Sequence, residues 1–180
     1  MNIFKKILSK GQQTVIILRG APSTGKTTVA HLLTERIPGL VKISVDSLVN
    51  MNVKPKHTNE EWVKGRPLGL EMARVLLEYF LTKGNCVVIE EFFIETNRIK
   101  EIIKISRKHK ASSYVFELTV SLMAALEREK IRPDAKNEKP VEELIGLMEK
   151  NPYVGTIQID TSDKSPNNIV DLILQNLKRN

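Results

Sequence analysis

Thr14-Val-Ile-Ile-Leu-Arg19 runs straight into Gly20-Ala21-Pro22-Ser23-Thr24-Gly25-Lys26-Thr27-Thr28, and the joint between them decides the fold. The first piece is a β-branched apolar run of strand length that ends at a glycine. Behind the second, residues 26–37 have helical spacing, with Val29, Leu32, Leu33 and Arg36 ahead of a stop at Pro38-Gly39. Between them, Gly20 to Thr27 fits G-x-x-x-x-G-K-[ST] without a mismatch. Each demand of that pattern has a physical reason. The loop must turn backbone N–H groups inward around a phosphate, and Gly20 and Gly25 permit the path. The following helix then begins at the phosphates with unsatisfied amides and the positive end of its dipole. Lys26 is long enough to reach β- and γ-phosphate oxygens, and the Thr27 hydroxyl can coordinate Mg²⁺.

Outward from this joint, strand-like runs alternate with amphipathic helical stretches. That rhythm predicts βαβ units and a parallel sheet. Further strands are expected at 41–45, 86–89, 113–120 and 156–160. Helices are expected at 96–110, 121–131, 140–150 and 166–179, and another after Pro67, which suits a first helical turn. Residues 47–65 read as a long irregular connection, and Ser121 as a helix cap. The expected architecture is one α/β domain over residues 1–180, a five-stranded parallel sheet flanked by helices. Residues 1–13 form a lead-in segment, in which Phe4, Ile7 and Leu8 suit one face of a short helix.

Composition bounds the function. The chain has 180 residues, 41% of them hydrophobic and 27% charged, enough for a sizeable core and unlike a disordered chain. No apolar run approaches the ~18 residues of a membrane span. The lead-in also lacks the apolar core of a secretory signal, so a cytoplasmic location is expected. Cys86 is the single cysteine, which excludes an intramolecular disulfide and a cysteine-cluster metal site. Lys plus Arg is 28 against 21 for Asp plus Glu, and the net charge of +7 suits a polyanionic ligand as well as it suits a solvated surface.

A phosphate loop alone indicates nucleotide, not reaction. Cys86-Val-Val-Ile-Glu90-Glu91 ends an apolar strand on two carboxylates, costly in a buried position unless a cation or polar network compensates. Adjacent strand residues point to opposite faces, so one of the two faces a metal, and Glu90 is favoured. Asp46 closes the run Val41-Lys-Ile-Ser-Val45, where ligands of open α/β sheets bind. A carboxylate there can accept the proton of an attacking hydroxyl. In Glu127-Arg128-Glu-Lys130-Ile-Arg132, the two arginines stand four apart on one helical face and can neutralise a transferring phosphoryl group. A mobile lid over about 126–140 is expected.

These pieces resemble the small P-loop kinases, specifically the chloramphenicol phosphotransferase-like branch beside the polynucleotide-kinase and zeta-toxin branches. The resemblance rests on the phosphate loop, Ser44-Val-Asp46-Ser47-Leu48, Val87-Val-Ile-Glu90-Glu91-Phe92-Phe93, Leu126-Glu-Arg128-Glu-Lys-Ile-Arg132 and Ile159-Asp160-Thr161-Ser162-Asp-Lys-Ser165-Pro166. It implies ATP with Mg²⁺ and γ-phosphoryl transfer to a hydroxyl. It implies Asp46 as base, Lys26 and Thr27 on phosphates and metal, and Arg128 with Arg132 in a lid. The family's paired strand-end aspartates stand here as Glu90 and Glu91, and its lid ending as Ile131-Arg132-Pro133-Asp134. Residues 49–70, on the acceptor side, do not match the family, so its drug-modifying specificity does not transfer.

Three functions fit. The first is a kinase for a small hydroxylated molecule. The second is a 5′-hydroxyl polynucleotide kinase, and the third a regulatory nucleotide-binding module. Trp62 can stack on a planar acceptor or anchor its own segment, and Lys64 with Arg66 can hold an anionic one, with Arg74 near by. Arg98, Lys100, Lys104, Arg107, Lys108 and Lys110 form a basic stripe opposite the apolar face of Ile99, Ile102 and Ile103, and read as the solvated side of a helix. His31 reads as a surface histidine.

Overall fold

The structure, a computed structural model, describes residues 13–53, 59–131 and 139–179. Its strands are β1 (Thr14–Arg19), β2 (Leu40–Ser44), β3 (Cys86–Glu90), β4 (Ser112–Thr119) and β5 (Ile157–Asp160). The helices are α1 (Lys26–Arg36), α2 (Val45–Asn52), α3 (Asn59–Thr82), α4 (Thr96–Lys108), α5 (Leu122–Ile131), α6 (Val141–Lys150) and α7 (Pro166–Arg179). All strand pairings are parallel, in the order β2-β3-β1-β4-β5.

β1 lies at the centre and is buried at every position, which is why it reads as an unbroken apolar run. Its alternate residues feed two cores. Ile16 and Leu18 join Val88, Phe116, Leu33 and Ile173 beneath α1 and α7. Val15 and Ile17 join Val87, Ile89, Leu77 and Ile99 beneath α2, α3 and α4. The crossover from β1 leaves toward β2, whereas that from its neighbour β4 leaves toward β5. Connections diverging from neighbouring strands open a crevice at their carboxyl ends, and the phosphate loop sits in it.

Within the stretch expected to be irregular, residues 47–52 and 59–65 are helical. α2 starts directly after β2, with the Ser44 hydroxyl accepting the Ser47 N–H at 3.4 Å. Asp46 therefore lies in the first turn of α2 rather than at the strand end. α3 begins eight residues before Pro67, which sits inside the helix instead of opening it. The reason is visible in the packing. Gly65 and Gly69 face Val49 of α2 and Val53 just after it, so the buried face of this part of α3 is built from missing side chains and leaves no apolar pattern to read. A Cβ on Gly69 would stand 2.5 Å from Val49 Cγ2 and 3.1 Å from its backbone nitrogen. Gly69→Ala is expected to destabilise the protein by about 1–3 kcal/mol in urea unfolding, the usual range for overpacking. Helix propensity alone would give the opposite sign.

The remaining expectations on helices fall close to the observed bounds. Ser121 does cap α5, its hydroxyl accepting the Ala124 N–H at 3.3 Å. Ile99 and Ile102 face the core from α4, and His31 is exposed beside Glu35. The lead-in helix and Arg132 lie outside the described residues. None of the described helices is long and apolar enough to cross a membrane.

Candidate active site

The site grows from the β1–α1 loop. Gly20 has φ +151°, and a Cβ there would stand 2.3 Å from the Leu118 carbonyl oxygen of β4, so only glycine fits. Ser23 and Gly25 both adopt left-handed backbone, which turns the loop back over the start of α1. The Thr24 hydroxyl donates to the Ala21 carbonyl at 2.9 Å and braces the turn. Lys26 is buried, and its Nζ donates to the Gly20 and Ala21 carbonyls at 2.8 and 2.9 Å. Pro22 and Thr28 complete the loop and the first helical turn, Thr28 lining a cavity described below.

Glu90 closes β3 on the α1 side of the sheet. It is 1% exposed, and its Oε1 accepts the Thr27 hydroxyl at 3.2 Å. The other oxygen, Oε2, is buried without a hydrogen-bond partner among the described residues. A buried carboxylate oxygen left bare is costly unless a cation completes it. No cluster of three or more His, Cys, Asp or Glu forms a metal cage among the described residues. Thr27 and the bare Glu90 oxygen fit Mg²⁺, which is usually held by one or two protein oxygens together with substrate phosphates.

Glu91, on the opposite face, does something else. It is 2% exposed and accepts hydrogen bonds from Arg66 of α3 and from the Phe93 N–H. Burial pushes its carboxyl upward from the ordinary range, and Arg66 and the Phe93 N–H offset only part of that. Burial works against the Arg66 charge too. Here Glu91, Glu95 and Asp46 outweigh it, and the guanidinium is held more firmly protonated than usual. The pair straps α3 across the end of β3, beside Asp46. Removing one member of a buried pair strands the other, so Glu91→Gln is expected to cost about 3 kcal/mol in chemical unfolding. Glu91→Leu combined with Arg66→Met should cost less than the two single changes together.

Arg66 is thus engaged, whereas Lys64 points outward to Glu60, and Trp62 donates its indole N–H to Asn50 of α2 at 3.1 Å as an anchor of α3. Arg74 and Arg98 line a narrow cleft of about 40 Å³ between α3 and α4, with Leu70, Phe93 and Ile102. Of the basic stripe, Arg98 is paired with Glu95 and Glu101, and Lys108 with Glu78.

Across the loop, Arg128 of α5 donates to the Ser23 carbonyl at 3.0 Å, to the Thr161 hydroxyl at 3.1 Å and to the Thr161 carbonyl at 2.5 Å. The receiving turn is built by the Asp160-Thr161-Ser162 sequence. The Ser162 hydroxyl and N–H donate to Asp160 Oδ1 at 2.7 and 3.0 Å and draw its carboxyl below the usual range. The Thr161 hydroxyl donates to the Thr119 carbonyl. A cavity of about 210 Å³ opens beside this turn, lined by Thr24, Thr28, Arg128, Lys164, Pro166 and Ile169.

Two partners carried no usable signal in the sequence. Glu129 accepts the Ser23 hydroxyl at 2.5 Å. Arg19, directly before the loop, is fully buried against Glu117 at 3.3 Å and donates to the Asn151 carbonyl at 2.9 Å. Burial lowers its pKa, with Glu117 and Glu91 compensating in part. A charged residue ending an apolar strand was the only hint of it.

A family described as an AAA domain matches residues 15–151, from β1 through α6. The chain belongs to that AAA domain family. Its fold is that of P-loop kinases. The tunicamycin resistance protein of Deinococcus radiodurans superposes with a TM-score of 0.67, with 19% identity over 92% of this chain and 96% of that one. The APS kinase of Mycobacterium tuberculosis, in complex with AMPPNP and APS, gives 0.66 at 13% identity over 94% and 99%. A gluconokinase of Sinorhizobium meliloti gives 0.61 at 18% identity over 92% of each chain. No curated protein sequence matches this AAA domain chain.

Proposed function

We propose that this AAA domain protein transfers the γ-phosphate of ATP to a hydroxyl of a small molecule. The observation that carries the reading is the contact of Thr27 with Glu90 at the mouth of the phosphate loop, with one bare buried carboxylate oxygen. It joins a nucleotide-phosphate cradle to a metal-ready carboxylate, and Asp46 stands in the first turn of α2, directly after the neighbouring strand.

In this reading Lys26 leaves the Gly20 and Ala21 carbonyls for the β- and γ-phosphate oxygens, while the backbone N–H groups of residues 23–28 and the α1 dipole hold the chain of phosphates. Thr27 and Glu90 would hold Mg²⁺, which when bound neutralises charge on the β- and γ-oxygens. Asp46 takes the proton of the acceptor hydroxyl as its oxygen bonds to the γ-phosphorus, and the bond to the β,γ-bridging oxygen breaks to release ADP. Arg128 holds the loop and the 161–162 turn together beside the phosphates. Arg132, outside the described residues, would add a second cation. The acceptor enters from the side of α2 and α3.

The deciding experiment is incubation with γ-labelled ATP and Mg²⁺, with nucleosides, sugars, amino-alcohol antibiotics and 5′-hydroxyl oligonucleotides offered in turn. Label on a small acceptor is the expected result. Label on oligonucleotide alone would replace the small molecule by a nucleic-acid end. Label that reaches only free phosphate or stays on ATP would replace the kinase by a regulatory module.

A further inference from the structure

Consecutive residues of α5 grip one residue of the phosphate loop. Arg128 donates to the Ser23 carbonyl, and Glu129 accepts the Ser23 hydroxyl at 2.5 Å. Ser23 is held in left-handed backbone at φ +63°, unusual for a residue with a side chain, so its hydroxyl is presented by a strained and well-determined turn. Meanwhile the loop's own cation, Lys26, is bound to the loop's own carbonyls. The cation of the loop is therefore engaged by the loop itself, and a carboxylate rests on Ser23.

We infer that Glu129 is a built-in competitor of the nucleotide phosphates, a latch that holds the loop and α5 together until a polyphosphate displaces it. The inference rests on the nucleotide-site reading above. A triphosphate brings several negative charges to a loop that already carries the Glu129 carboxylate, and like charges at short range in a partly buried setting repel. The contact with Ser23 has to break, or lose most of its strength, before the loop accepts the anion. Arg128 has the opposite sign and keeps its attachments to Thr161 and Ser162 throughout. The two neighbours then divide the work: Arg128 anchors α5 to the turn after β5, and Glu129 sets how much nucleotide is needed to open the cradle. A ligand that binds only the released state has its apparent Kd raised by the scarcity of that state.

The test is titration of wild type, Glu129→Gln, Ser23→Ala, the double variant and Lys26→Ala with AMPPNP and Mg²⁺ by calorimetry. Glu129→Gln is expected to bind about tenfold more tightly than wild type, the size of one charge-assisted contact released. Ser23→Ala should tighten in the same direction, and the double variant should gain no more than the stronger single one, because both remove one contact. Binding by wild type with equal or weaker binding by Glu129→Gln overturns the latch and leaves the nucleotide site standing. Binding by Glu129→Gln where wild type shows none supports it. Absence of binding by every variant overturns the latch together with the nucleotide-site reading. Lys26→Ala marks the background.

Discussion

Lys26→Ala is expected to abolish phosphoryl transfer, by at least roughly the 10²–10³-fold that follows loss of one preorganised charge-stabilising donor. The far-ultraviolet circular dichroism should not change. Both halves of that expectation come from the loop. Lys26 is the cation of the cradle, buried, and aimed along the loop rather than into either core. Its neighbours keep their own supports when it is removed: Thr24 still donates to the Ala21 carbonyl, and Val29 N–H still bonds the Gly25 carbonyl at 2.9 Å. The two helical layers do not depend on the ammonium. Activity is read from γ-label appearing on product, and retention above about a tenth of the wild-type rate would remove Lys26 from the transferring machinery.

Asp46→Asn is the second large effect, a fall in transfer of about 10²–10⁴-fold, typical of removing a general base. Asparagine preserves the size of the side chain and suits the first turn of a helix, so α2 should remain intact. Nucleotide binding should be unchanged, because Asp46 lies on α2 and not on the loop that takes the phosphates. This separates Asp46 from Lys26: one substitution spares AMPPNP affinity, the other removes it. A loss below about threefold in transfer would take Asp46 out of the reaction. Arg66 sharpens the expectation, since Asp46 contributes to the field that keeps that guanidinium charged. Asp46 and the buried Glu91–Arg66 strap therefore form one connected region.

The strap also illustrates where reading residues one at a time stops. Glu90 and Glu91 are adjacent and chemically alike. Period-two alternation requires them to face opposite sides, and the contacts bear out that separation: Glu90 meets Thr27, and Glu91 meets Arg66. The identity of Glu91's partner was not readable, because Arg66 is 25 residues away on a helix whose buried face is written in glycines.

The sequence by itself determined the five parallel strands, their approximate bounds, the phosphate loop and the α1 that starts from it. Those features depend on local rules: β-branched apolar runs, helical spacing, and a loop whose residue types are dictated by backbone geometry and by the shape of a phosphate. Only the tertiary structure decided that residues 45–52 are helical and that α3 runs through Pro67, since packing of α2 on Gly65 and Gly69 overrides the weak local signal. It likewise decided the company of Arg19, Glu91 and Glu129. Each finds its partner across the sheet's carboxyl edge, at sequence separations from 25 to 132 residues. A charge in a sequence announces that it needs a partner. Which partner it has depends on which strand ends and helix starts the crossovers bring to the same edge.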